Sequence, residues 1–207
     1  MTGRTVARVG IAVAVLAGLA THLAGGGVDP IRRMLSDSVA SVPGAVLLGT
    51  ACAALVVVAG ALAAMARRGR RARVVVPLLT AWATALVAIV VFPTNPPGTE
   101  LTNAAVVHRY GAALTAVVPP IVGLLVARTR RLRTVSWLTA GAAAVFGAAH
   151  APAVLSGADV VPYAGLAERV LFGLILALLW QAAHELDPRP ARATSIEPEP
   201  IALKAAA

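Results

Sequence analysis

Val91-Phe92-Pro93-Thr94-Asn95-Pro96-Pro97-Gly98-Thr99-Glu100, running on to His108-Arg109-Tyr110-Gly111, is the longest polar, Pro-rich break between two long apolar runs. The run before it, 74–92, and the run after it, 104–127, each approach the ~20 residues that cross a ~30 Å hydrocarbon core at 1.5 Å per residue. Four more runs flank this pair, at 5–24, 44–66, 134–155 and 164–186. None alternates strictly between apolar and polar residues, which argues against a membrane barrel. The expected fold is all-α: a polytopic membrane protein with a six-transmembrane-helix bundle over residues 1–186. A disordered cytoplasmic tail, rich in Pro, Ala and Glu, is expected over 187–207.

Composition supports this class. Of 207 residues, 58% are hydrophobic and 13% charged, with a mean hydropathy of +0.81. A soluble domain has nearly twice that charged fraction, so this chain lacks the polar surface to cover a water-soluble globule. A bilayer removes the requirement. The single cysteine, Cys52, excludes an intrachain disulfide framework or a cysteine-built metal site.

Net charge is +9, and arginine supplies nearly all of the basic residues. They stand in short clusters between apolar runs with no aromatic interleaving, which fits loops facing anionic lipid rather than nucleic acid. Arg67, Arg68, Arg70, Arg71 and Arg73 fill one loop; Arg128, Arg130, Arg131 and Arg133 fill another. The N-terminal residues add Arg4 and Arg8, and the tail adds Arg189, Arg192 and Lys204. With six spans all of these fall on one side, while the opposite loops carry only Arg32 and Arg33. The charge bias then predicts a cell-membrane protein with both termini in the cytoplasm. The first run, behind Arg4 and Arg8, also has the features of a signal peptide; its removal would leave the orientation of the remainder unchanged.

Small residues four apart, Gly60 with Ala64 and Ala143 with Gly147, offer helix faces for close approach, within the chain or in self-association. Pro119-Pro120 is expected to kink the fourth span and free backbone carbonyls in its middle. Trp137 and Trp180 fall where interfacial tryptophans sit.

Ionisable residues fall at one depth on the outer side. His108, His150, Glu168 and Arg169 each lie ~6–7 Å inside a span end, with His22 near the outer end of the first span. Asp37, between Ser36 and Ser38, adds an acid from the first outer loop, and Asn95 an amide from the break. Such groups are costly in hydrocarbon, ~2.5–3.5 kcal/mol each on insertion scales, and usually face the bundle interior in pairs. The pairs expected are Arg169 or Arg109 with Asp37, and His108 or His150 with Glu168. Asp37, Asn95, His108, Arg109, His150, Glu168 and Arg169 are therefore the ligand-binding candidates of an outward-facing polar pocket. Each also has a plainer role: Glu168 at a helix start, Arg109 and Arg169 reaching for the interface, Asp37 capping a short loop helix.

Three functions compete. In the first, the pocket binds, senses or moves a lipid or small amphipathic molecule, with no cofactor and no catalysis. In the second, His108, His150 and Glu168 (or Asp37 or His22) hold zinc for an intramembrane hydrolase. In the third, His108 and His150 ligate a b-type haem. No metalloprotease, phosphate-loop, nucleophile-elbow or dithiol motif is present. That absence favours the first reading, with membrane lipids as partners.

Several elements together resemble a known family. They are Asp29-Pro30 with Ser36-Asp37-Ser38, the span exit Phe92-Pro93-Thr94-Asn95-Pro96, His108 at the head of the next span, and Gly165-Leu166-Ala167-Glu168-Arg169 opening the last. The chain is similar over about residues 5–186 to the prokaryotic six-span membrane family called domain of unknown function 998. The resemblance implies the membrane fold and no assigned reaction. Members commonly carry Asp where this chain has Asn95; if that acid matters for metal or proton chemistry, its absence here weakens such a reading.

Overall fold

The computed structural model describes residues 1–24, 29–94, 102–156 and 162–187. Asn95 and the tail beyond Asp187 lie outside the described residues. Six long helices and one short 3-10 helix make up the described fold. They are α1 (Gly3–Ala24), the 3-10 helix η1 (Leu35–Ala40), α2 (Val42–Ala66), α3 (Ala72–Val91), α4 (Asn103–Val126), α5 (Arg130–Ser156) and α6 (Ala164–Leu186). Ala and Leu favour helix, and Pro30, Gly69 and Pro93 stand in the breaks between helices. Four starts carry side-chain caps: Thr2 Oγ1 accepts from the Thr5 N–H at 3.2 Å, Ser41 Oγ from the Gly44 N–H at 3.1 Å, Thr102 Oγ1 from the Ala105 N–H at 3.2 Å, and Thr129 Oγ1 from the Leu132 N–H at 3.3 Å.

Five of these helices, α1, α2, α3, α4 and α6, are long and apolar enough to cross a membrane. The described residues are all-α, and five candidate spans give the chain the pattern of a polytopic helical membrane protein. The expected sixth span falls on α5, which at 27 residues is the longest helix but is not among the five. Arg130, Arg131 and Arg133 fill its start, and Ser136, Thr139, Gly141, Gly147, His150 and Pro152 dilute the remainder.

Consecutive helices pack side by side. α6 also touches α1, α2 and α4, whereas among the described helices α5 touches only α4 and α6. Bonds between helix ends fix the alternation. At one end Arg4 pairs with Asp187 at 3.2 Å, and the Arg71 guanidinium donates to the Leu125 carbonyl at 2.6 Å. There too the Glu185 carboxylate of α6 accepts from the Arg128 and Thr129 amides and the Thr129 hydroxyl, and so caps the start of α5. Arg8 lies 4.5 Å from the centre of the Trp180 ring. Arg67 to Arg73 and Arg128 to Arg133 stand at this same end.

The perimeter is apolar and the interior carries polar groups, as a lipid solvent allows. Val9, Leu16, Leu19, Val46, Val57, Val87, Leu138 and Val145 are exposed, while Thr21, Ser38, His108, Thr115, Ser136 and Thr139 are buried. Each of these buried polar side chains bonds a backbone carbonyl: Gly18, Leu35, Phe92, Ala112, Leu132 and Val135 respectively. With no water to serve them, buried groups need such partners.

Close helix approach does use small residues, at positions other than those the sequence suggested. A Cβ on Gly10 would meet Val58 Cγ2 at 2.7 Å, and one on Gly111 would meet Ile89 Cγ2 at 2.9 Å. One on Gly123 would run into Ser136 Oγ and the Leu178 methyls, so that glycine seats α5 and α6 against α4. Gly60 and Ala64 are exposed instead, and Ala143 turns inward while Gly147 meets open space.

α4 runs as one helix through Pro119 and Pro120. Pro119 has no N–H, so the Thr115 carbonyl four residues earlier loses its helical donor. The Trp82 indole of α3 donates to that carbonyl at 3.3 Å. Trp82 is 1% exposed and is the largest fully buried side chain among the described residues. The prolines thus create an acceptor in the bundle interior, and the tryptophan of the neighbouring helix fills it.

Candidate functional site

At the end opposite the Arg-rich one, residues 29–41 fold back onto the start of α6. Asp29 Oδ1 accepts from the Ile31 amide at 2.9 Å and turns the chain after Pro30. Asp37 Oδ2 accepts from the Met34 amide at 3.1 Å and Ser38 Oγ donates to the Leu35 carbonyl at 2.6 Å, which together close η1. Asp37 therefore works as the cap of its own short helix.

Capping across the contact is mutual. α6 begins after Tyr163, a left-handed residue (φ 67°) with no side-chain cap. Its first amides need acceptors from elsewhere. The Ile31 carbonyl accepts from the Leu166 N–H at 3.0 Å. In return Glu168 Oε2 accepts from the Leu35 N–H at 2.5 Å, at the start of η1. Arg169 Nη1 donates to the Arg33 carbonyl at 2.9 Å and to the Gly165 carbonyl at 2.8 Å, and its Nε approaches His22 Nε2 of α1 at 3.4 Å. Gly165 is where the two backbones touch: a Cβ there would overlap the Arg33 carbonyl oxygen and lie 2.8 Å from that of Pro30. Only glycine permits that approach. The Gly165-Leu166-x-Glu168-Arg169 motif is thus a clasp for the loop of residues 29–41, each element with a separate contact.

The structure brings Asp37, Glu168, Arg169 and His22 to one end of the bundle and gives each a partner within the chain. The expected ion pair of Asp37 with Arg169 or Arg109 does not form among the described residues, nor does Glu168 with either histidine. Backbone groups take these roles, because irregular backbone at this depth needs donors and acceptors as much as the side chains do.

The two histidines are engaged separately. His108 is buried, and its Nδ1–H donates to the Phe92 carbonyl at 2.8 Å, tying the head of α4 to the exit of α3. The Phe-Pro-Thr element and the histidine after it are therefore two halves of one contact. His150 donates from Nδ1 to the Phe146 carbonyl of its own helix at 2.7 Å and stacks on the Phe146 ring at 4.0 Å. Its buried Nε2 has no partner among the described residues. Arg109 is half-buried on α4 and pairs with no acid among the described residues. Among the described residues no group of three or more His, Cys, Asp or Glu side chains gathers to hold a metal ion.

One feature had no signal in the sequence. Between α3 and α4 runs an open groove of about 700 Å³, lined by residues that include Val76, Thr80, Ala81, Ala85, Tyr110 and Leu114. Its wall is almost wholly apolar. The Thr80 and Thr84 hydroxyls donate to the Val76 and Thr80 carbonyls of their own helix, so they offer no free donor. Small side chains on α3 and Gly111 on α4 make the depression. A run of alanine reads in the sequence as plain apolar filler, so only the packing reveals it.

No curated protein and no solved structure matches the chain. The family described as protein of unknown function (DUF998) matches residues 8–185, nearly the whole described bundle. It takes in the loop, the Phe92–His108 tie and the α6 clasp. The chain belongs to the DUF998 family.

Proposed function

We propose that this is a six-span protein of the cell membrane, with both termini cytoplasmic, that binds a lipid acyl chain in the α3/α4 groove without catalysis. Counting α5 as a span rests on its place: it packs along α4 and α6 with its buried stripe inward and Trp137, Leu138 and Val145 outward. Residues 1–186 then form one transmembrane unit, with the tail outside it. The charge bias supports the orientation, since the Arg67–Arg73 and Arg128–Arg133 clusters share one end. In intact cells an impermeant maleimide is expected to label Ser36→Cys and to spare Arg70→Cys. Labelling of Arg70→Cys alone would invert the topology.

The observation that carries the binding reading is the groove itself. It is apolar, lies along two helices apolar enough to span, and presents no free polar group on its α3 wall. An acyl chain matches those properties, while a polar ligand would lose its hydration there without return. Asp37, Glu168 and Arg169 serve in this reading to hold residues 29–41 in place on the start of α6. Replacing Ala81, which is exposed and lines the groove, by tryptophan fills the space without touching the core. Native mass spectrometry of protein released from nanodiscs should show retained phospholipid on the wild-type chain. On Ala81→Trp that signal should fall at least about fivefold, equivalent to ~1 kcal/mol of lost contact. Equal retention by the two proteins would refute the groove as the lipid site.

A further inference from the structure

Arg73 stands on the groove's own face of α3. Val76, Pro77 and Thr80 come three, four and seven residues after it, the spacing that places side chains in one row. From Val76 to Ala88 the α3 wall runs about 18 Å at the helical rise. It begins one turn beyond Arg73, at the end of the bundle that holds the arginine clusters. Helical side chains lean toward the helix start, so Arg73 reaches away from the hydrocarbon toward the interface. It is exposed, and its guanidinium makes no ion pair among the described residues. Arg71, two residues earlier, is by contrast committed to the Leu125 carbonyl.

We propose that the groove takes an anionic glycerophospholipid from the leaflet on the arginine-rich side. One acyl chain lies along α3 and α4, and the headgroup phosphate accepts hydrogen bonds from Arg73. This rests on the groove reading above and adds to it the headgroup chemistry and the leaflet. Charge complementarity is the ground for it. A guanidinium presents a planar fork of donors matched to a phosphate, and here that fork continues the line of an apolar channel. A second copy of the chain seated in the groove would cover Arg73 with apolar helix instead. A zwitterionic lipid would fill the channel equally well but gain less from the extra cation.

The test compares full-length protein in nanodiscs of equimolar phosphatidylglycerol and phosphatidylcholine. Native mass spectrometry reads the ratio of the two lipids retained. The wild type should retain phosphatidylglycerol preferentially. Arg73→Gln should reduce that preference about fivefold with the total lipid retained unchanged. Arg133→Gln, the same charge change on exposed α5 at the same end, should leave the ratio as it is. An equal drop in both variants would mean general attraction to the surface and would overturn the proposal, as would an unaltered ratio in Arg73→Gln. Either of those results leaves the groove standing if Ala81→Trp still sheds lipid. Loss of lipid from no variant, or a protein that emerges as a lipid-free dimer, overturns both.

Discussion

Trp82→Ala should destabilise the folded bundle by about 3–5 kcal/mol, as truncation of a buried aromatic side chain does, with a further penalty for the Thr115 carbonyl it strands. Trp82 is fully buried between α3 and α4, and its indole N–H meets the acceptor that Pro119 leaves open. Trp82→Phe separates the two contributions. It keeps most of the ring volume and removes the donor with a small part of the packing, so its cost should be about 1–3 kcal/mol, the range for one buried unsatisfied carbonyl. Pro119→Ala restores a backbone N–H that can serve Thr115 within α4. On the Trp82→Phe background it should therefore recover part of the loss, and a double-mutant cycle should show coupling of at least about 0.5 kcal/mol. Unfolding in mixed micelles measures each step. Strict additivity would mean that the indole packs there without satisfying the carbonyl.

Gly165→Val is expected to release the loop of residues 29–41. Any Cβ at this position overlaps the Arg33 carbonyl, and that neighbour is backbone rather than the end of a flexible side chain. Overpacking of this kind costs about 1–3 kcal/mol, but the hydrogen bonds that join the loop to Leu166, Glu168 and Arg169 can be given up instead of the helix. The loss should then be local. A polar maleimide should react with Ser36→Cys at least about tenfold faster in the Gly165→Val protein than in its Gly165 parent, since local opening sets the rate. Cys52 is buried and should stay silent in both. A uniform fall in bundle stability with no change at Ser36 would place the role of Gly165 elsewhere.

Much of the architecture is legible in the sequence. Apolar runs end where arginine clusters, Pro and Gly begin, so the expected spans differ from the helices by only a few residues at each boundary. The fold class comes from the same runs. α5 is the hardest to place because its alanine, glycine and hydroxyl residues are nearly neutral between water and lipid. Packing on α4 and α6 identifies its inner face, which hydropathy alone does not.

The polar cluster at the end of the bundle opposite the arginines is half legible. Depth along the helices gathers Asp37, Glu168, Arg169 and His22 at one end, because position along a helix is a one-dimensional quantity. Their partners are not legible. Glu168 and Arg169 bond the amide of Leu35 and the carbonyl of Arg33, and nearly every residue carries such groups, so no residue type announces them. Pairing charge with charge is the natural inference from side chains alone. His108 and His150 share a depth, yet one bonds the exit of α3 and the other its own helix.

The polar start of α6 holds the chain's own loop of residues 29–41. Hydrogen exchange across residues 29–41 of the full-length protein in nanodiscs tests it most directly. Bonded to Glu168, the Leu35 amide should exchange far more slowly than an open loop amide, as should Leu166, whose N–H is held by Ile31. Glu168→Ala should release Leu35 and leave the centre of α2 protected. Exchange of residues 29–41 in the wild type at the rate of an unstructured peptide would contradict the account.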